Sequence, residues 1–301
     1  MENESKELLH IVINIEGADG VGKSTIAKRI VERLNAANRT IIDRLPDEIR
    51  NSILEKGIED VAIYQHYPDY ESSMGKMIKG YLNGELNNTD PTELDYITSS
   101  LLYVLDRRLR VESSDYKIAH YMVNDRSFLS NFLYQGAKIV NSFYIEQQKN
   151  PDELENIYMY LIEYLRSQIL IEPSMLKDIP GYQMNFYLRF PDDKNTLDTK
   201  ENKDMHESNE SYMNIVSNMW KYLPFGEYTI ENSPEYAKLD EMRYAEDDFA
   251  LLLHYADKAG YMIDVIDMEF CDDPEKMDEV IDRNVDTLMK ALLWYIRDED
   301  E

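Results

Sequence analysis

The sequence predicts an α/β protein: a five-stranded parallel sheet with helices on both faces. Three observations carry this. Apolar runs rich in β-branched residues alternate with helix-period segments along the chain. The first such pair is joined by Gly17-Ala18-Asp19-Gly20-Val21-Gly22-Lys23-Ser24-Thr25, which satisfies G-x-x-x-x-G-K-[ST] at every fixed position. Gly17, Arg44 and Asp125-Arg126 each stand just past the carboxyl end of a predicted strand, the side of a parallel sheet where ligands bind.

The elements follow in order. His10–Ile15 is a buried strand, and Thr25–Leu34 places Ile26, Ile30, Val31 and Leu34 on one helical face. Strand, glycine loop and helix together predict the three-layer sandwich of P-loop NTPases. Thr40–Asp43 reads as a short second strand broken by Arg44-Leu45-Pro46, and a helix opens at Asp47-Glu48 and runs to Glu55. The tyrosine-rich stretch from Val61 to Gly84 is mixed, with a helix around Met74–Leu82. Pro91 starts a helix that runs to about Glu112. Ala119–Asn124 is the third strand, with Phe128 onward helical. The residues from about Ala137 to Tyr182 form a helical insertion broken at Pro151 and Pro173. Met184–Phe190 is the fourth strand, and polar residues 191–209 read as a lid. A second insertion covers about 224–260. Tyr261–Asp267 is the fifth strand and Pro274–Arg297 a final amphipathic helix. The whole chain reads as one domain of 301 residues carrying these insertions.

Composition narrows the classes. With 59 acidic against 32 basic side chains the net charge is −27, which argues against nucleic-acid binding, since phosphate neutralisation needs a basic face. A small phosphorylated ligand stays compatible, because a few Arg and Lys residues focus a local positive site. Cys271 is the sole cysteine, so no disulfide forms within the chain. The polar, acidic start resembles neither a signal nor a transit peptide, and no run reaches the length of a membrane span. A cytoplasmic protein without a membrane partner is expected.

The loop at 17–25 is built for phosphate. Its glycines let successive N–H groups face one anion, and the following helix start adds positive potential. Lys23 would reach the β- and γ-phosphates of ATP, and the Ser24 hydroxyl would meet Mg²⁺.

Four stretches in this order resemble the thymidylate kinases, which phosphorylate dTMP to dTDP. Ile15–Thr25 is similar to their phosphate loop, including its aspartate, here Asp19. Arg44-Leu45-Pro46 resembles R-E-P. Leu102–Arg107 resembles [FY]-x-x-[DN]-R. Asp125–Gly136 resembles D-R-[YH]-x-x-S-x-x-A-Y-Q-G, departing from it at Ser127 and Leu133. These motifs span roughly the first half of the chain.

The resemblance implies a kinase using ATP and Mg²⁺ on a small nucleotide substrate, and a homodimer. Gly17, Ala18, Asp19, Gly20, Val21, Gly22, Lys23, Ser24 and Thr25 would hold ATP, with Ser24 and Asp125 at the metal. Lys23, Asp19, Arg126 and Asp125 would form the catalytic set. Arg44 and Arg126 would fork the acceptor phosphate, a task that suits a bidentate guanidinium. Tyr103 would stack on the pyrimidine, Arg107 would donate to its O4, Asn131 would bond its O2/N3 edge, and Tyr134 would pack beneath the deoxyribose. Each also has a plainer reading: Tyr103 and Tyr134 as core aromatics, Asp125 and Arg126 as an ion pair, Asn131 as a solvated helix residue. Tyr134 lies eight residues beyond Arg126, a little over two helical turns, which places its ring about 12 Å further along the same face. The family's catalytic arginine is missing from both the phosphate loop, where Val21 stands, and the lid, which offers Lys194, Lys200 and Lys203. Arg189 is the nearby guanidinium. A deoxynucleoside kinase and a non-catalytic nucleotide-binding protein are the alternatives.

Overall fold

The structure is a computed structural model that describes residues 10–17, 20–43, 62–85, 93–112, 119–127, 181–190 and 263–297, and residues 130, 131, 134, 135 and 138. The segments predicted as a helix at 47–55, a lid at 191–209 and an insertion at 224–260 lie outside them, as does nearly all of the insertion at 137–182.

Five strands form one sheet in the order β2-β3-β1-β4-β5: β1 (His10–Gly17), β2 (Ala62–His66), β3 (Tyr121–Asp125), β4 (Gly181–Arg189) and β5 (Ile263–Asp267). Every neighbouring pair is parallel. The helices are α1 (Lys23–Asp43), α2 (Ser73–Leu82), α3 (Glu93–Val111) and α4 (Met277–Arg297). The predicted fold class holds, with five parallel strands and helices on both sides.

The two faces of β1 explain the layering. Ile11, Ile13 and Ile15 point to one side, where they join Ile26 and Ile30 of α1 and Val285, Leu288 and Leu292 of α4 in the main core. Val12 points to the other side and meets Val111 of α3 with Ala119 and Met122. Arg33 of α1 bonds Asp282 and Asp286 of α4, so an ionic seam closes the rim of the main core.

Three expectations are corrected. Residues 40–43 are not a strand but the end of α1, which runs unbroken for 21 residues. No glycine or proline interrupts the sequence between Gly22 and Pro46, and β-branched residues cost only tenths of a kcal/mol in a helix already nucleated. The inference that Arg44 follows a strand's carboxyl end fails with that strand, and Arg44 itself lies outside the described residues. The true second strand in chain order is β2, in the stretch read as mixed. It is an edge strand whose residues Ile63, Tyr64 and His66 are only half-buried, so it carries no clean period-two pattern. Finally, Gly181 and Tyr182 open β4 rather than closing a helical insertion.

β2 is fastened from α1. The Asn35 amide nitrogen donates to the Ala62 carbonyl at 3.0 Å, and its oxygen accepts the Ala62 N–H at 2.8 Å. One side chain therefore continues the ladder that an edge strand otherwise lacks. Among the described residues, no helix is long and apolar enough to cross a membrane. Asn35→Ala removes both bonds and leaves the N–H and carbonyl of the buried Ala62 without that partner. It should lower the unfolding free energy by about 1–3 kcal/mol, read from the urea midpoint. An unchanged midpoint would mean that β2 is held without Asn35.

Candidate functional site

The carboxyl ends of β1 and β3 converge with the start of α1. β1 ends at Gly17, where φ is +145°. A Cβ there would stand 2.5 Å from the Leu188 carbonyl oxygen and 3.0 Å from Val21 Cγ1. Gly20 and Gly22 follow with φ of +83° and +90°, values open to glycine, and a Cβ on Gly22 would meet nothing. Ala18 and Asp19 lie outside the described residues. Val21 is buried and anchors the loop in the main core. Lys23 opens α1 and is buried, whereas Ser24 and Thr25 are exposed on its first turn.

Asp125 is the centre of the site. It ends β3 fully buried, and its Oδ2 accepts hydrogen bonds from Ser24 Oγ, from Tyr64 OH at 3.0 Å and from His66 Nδ1 at 3.0 Å. Burial works to raise the carboxyl, but the bonds from His66 and Ser24 and the charges of His66 and Lys23 overcome it and hold the group at about 2. Asp125 is therefore an anion at neutral pH, and an ionised carboxylate only accepts. His66 Nδ1 must carry the proton it shares. Burial, and then the charge of Asp125, push the Tyr64 phenol up, so it too stays a donor. Lys28 stands over the Tyr64 ring at 5.2 Å. The other oxygen, Asp125 Oδ1, is buried and accepts no hydrogen bond among the described residues. A buried carboxylate oxygen with an open lone pair, beside a serine hydroxyl, suits a hard cation or its bound water.

Arg126 follows with φ of +74°, a left-handed conformation rare outside glycine. Its N–H donates to the Ile15 carbonyl at 3.0 Å. The expectation that Arg126 and Tyr134 share one helix, about 12 Å apart, is corrected. Arg126 lies in the bend before that helix, which includes Ser130, Asn131, Tyr134, Gln135 and Lys138. The left-handed turn swings the guanidinium over the Tyr134 ring, 5.2 Å from its centroid. Tyr134 is thus half-buried beneath a cation rather than enclosed in the core.

Asn131 is not a solvated helix residue. It is buried and donates from Nδ2 to the Ser100 carbonyl of α3 at 3.3 Å. On α3, Tyr103 is half-buried and Arg107 buried. The adjacent Asp106 accepts the Asp69 N–H at 2.8 Å and the Ser72 hydroxyl at 2.7 Å, which brings this part of α3 to the carboxyl end of β2. Burial pushes the Asp106 carboxyl up, against those bonds. Arg189, considered above as a replacement for the missing arginine, ends β4 and bonds Asp267 at the end of β5.

Three participants had no assigned role in the sequence: Tyr64, His66 and Glu16. Tyr64 and His66 sit in the unrecognised strand. Glu16 carried a signal, a carboxylate at the end of a buried, largely apolar strand, which needs donors to be tolerated. It is 1% exposed and takes four hydrogen bonds from Ser127 and Ser130.

No protein-family model matches the chain. A probable thymidylate kinase of Metallosphaera sedula is 24% identical over 209 residues, covering 68% of this chain and 79% of that protein. Among solved structures, a thymidylate kinase from Candida albicans aligns over 97% of this chain and 92% of its own, with a TM-score of 0.45 and 18% identity. A thymidylate kinase from Ehrlichia chaffeensis aligns over 94% and 99%, with a TM-score of 0.42 and 13% identity. The resemblance read from the motifs therefore extends to a sequence similarity over 68% of the chain.

The glycines yield a stability ranking. Gly17→Ala meets both a backbone clash and an unfavourable φ and should cost about 3 kcal/mol, whereas Gly22→Ala meets only the φ and should cost about 1 kcal/mol. Urea titrations of the two variants would refute this account if their order were reversed.

Proposed function

We propose that this chain is a divergent relative of thymidylate kinases and transfers the ATP γ-phosphate to dTMP or a related pyrimidine deoxynucleotide. The observation that carries the reading is the bond between Ser24, on the first turn after the phosphate loop, and Asp125, which precedes Arg126. It sets the donor loop and the Asp-Arg motif at one edge of the sheet. Phosphoryl transfer between two anions needs positioning and positive charge more than covalent help. Lys23 supplies charge at the loop and Arg126 at the acceptor.

Mg²⁺ accompanies ATP in this reading and would neutralise phosphate charge. Ser24 and Asp125 are the residues that would hold it, and the open Asp125 Oδ1 supports the assignment. Arg126 would grip the acceptor phosphate, while Tyr134, under the guanidinium, would fill the space beside the sugar. Tyr103 and Arg107 would receive the base. Asn131 spends one N–H of its amide on α3, and the buried carbonyl oxygen of the same side chain would be offered to a base. Asp19 and Arg44 keep the roles implied by the resemblance.

A coupled ADP-release screen over all nucleoside monophosphates, with thymidine included, tests this directly. Turnover is expected on dTMP and not on thymidine, and Lys23→Ala should reduce it by about three orders of magnitude or more. Full turnover by Lys23→Ala would move the chemistry away from this loop. Sugar selectivity gives a separate check. Tyr134→Ala opens space that a 2′-hydroxyl can fill and removes the support under Arg126. It should narrow the kcat/KM preference for dTMP over ribosyl-TMP and lower kcat/KM for dTMP. If the ratio stays unchanged, Tyr134 only supports Arg126.

A further inference from the structure

The backbone conformation of Arg126 needs an explanation. A non-glycine residue at φ of +74° costs on the order of 1–3 kcal/mol and persists only where its surroundings over-determine it. On its N-terminal side the restraint is clear: β3 is locked to β1, and the Arg126 N–H is bonded to the Ile15 carbonyl. On its C-terminal side stands Glu16. Oε1 of this residue accepts the Ser127 N–H at 2.8 Å, the Ser127 hydroxyl at 2.6 Å and the Ser130 N–H at 3.3 Å, and Oε2 accepts the Ser130 hydroxyl at 2.6 Å. All three side chains are buried. A carboxylate from a neighbouring strand thus caps the helix that follows Arg126, doing from a distance what a local cap residue does.

We infer that Glu16 is a positioning residue that holds Arg126 in its left-handed turn and ties the acceptor side of the site to the phosphate loop. The inference rests on the assignment of Arg126 to the acceptor phosphate. Glu16 immediately precedes Gly17, so the bonds to Ser127 and Ser130 link the residue before the loop to the C-terminal side of the turn. Any shift of the loop is passed to Arg126 through a buried carboxylate rather than through a flexible side chain. The pairing also accounts for Ser127, where the sequence departs from the aromatic or histidine of the related motif. A small hydroxyl fits the space against Glu16 and adds a donor to it.

The test uses Glu16→Gln, which keeps size and shape but turns one acceptor oxygen into a donor facing donors. Hydrogen exchange of the full-length protein should show the amides of Ser127 and Ser130 opening at least about tenfold faster, with the α1 amides unchanged. Calorimetry should show dTMP affinity falling at least about tenfold and ATP affinity changing less than about twofold. In an Arg126→Ala background, Glu16→Gln should cause no further loss of dTMP affinity, because the two residues act as one unit. Additive losses, or equal losses for both ligands, would overturn the inference and mark Glu16 as general support. If Glu16→Gln does not fold, Ser130→Ala should give the same pattern in weaker form and Ser130→Thr should restore it. A parent protein that binds no nucleoside monophosphate would overturn the acceptor assignment, and the exchange data would then decide by themselves whether Glu16 holds the turn.

Discussion

A carboxylate taken out of water must be surrounded by donors, and the edge of this sheet is organised around two that are. Asp125 draws Ser24 from α1 and Tyr64 and His66 from β2 onto one oxygen. Glu16 draws Ser127 and Ser130 onto both of its own. Desolvating such a group unpaired would cost several kcal/mol, so each carboxylate fixes the elements that satisfy it. The start of α1, the end of β2 and the entry to the helix after β3 are therefore placed by two side chains on adjacent central strands. The same donors answer an electrostatic problem. A protein with a net charge of −27 that is to receive phosphates must keep its nearest carboxylates from repelling them. Here three donors share one oxygen of Asp125, and Lys23 and Arg126 stand beside that carboxylate.

The middle of the sheet shows the same logic with neutral groups. Asn14, Asn124 and Asn185 lie in register on β1, β3 and β4, all buried. Asn124 donates to Asn14 at 2.8 Å, and Asn14 donates to Asn185 at 2.8 Å. Gln65 of β2 continues the row in register with Asn124. These amides face the same side as Val12 and Glu16, opposite the isoleucines of the main core. A slip of one residue in any of these strands would turn its amide into that core and break the chain of bonds, so the row specifies register. Register in turn sets Ile15 opposite Asp125, and with it the position of Arg126.

Much of this was legible in the sequence, and the exceptions share causes. Parallel strands buried on both faces announce themselves as apolar runs, and the inner strands β1, β3 and β4 do so. The glycine loop needs no partner to be recognised, because its φ values are a local demand. β2 was hidden because an edge strand is only partly buried and its pairing and its tie to Asn35 come from distant residues. Residues 40–43 were misread because β-branched residues favour strands only when no helix is already running into them. Regular helix geometry sets Tyr134 two turns beyond Arg126, and the left-handed position of Arg126 breaks that geometry and brings the two side chains together. Nothing local forces that conformation, and it follows from Ile15 and Glu16, more than a hundred residues earlier. Glu16 was visible as an anomaly, but its partners could be named only once β1 and β3 were adjacent.

The missing arginine is best considered through charge rather than through motif. Arg189 has the right chemistry and stands at the carboxyl end of β4. However, its guanidinium bonds Asp267, and that pair joins the ends of the two strands furthest from Asp125 on that side. To serve a transferring phosphate it would have to leave a carboxylate partner, and the gain in one contact would be offset by the loss of another. Lys23 stands at the phosphate loop itself. It is already buried at the start of α1, where the helix end adds positive potential and Asp125 lies close enough to feel its charge. A cation held in a low-dielectric position is worth more to a developing anion than one recruited from solvent. Among the described residues, the proposed chemistry therefore rests on Lys23 and on Arg126. The buried carboxylates beside them serve to fix where those two charges stand.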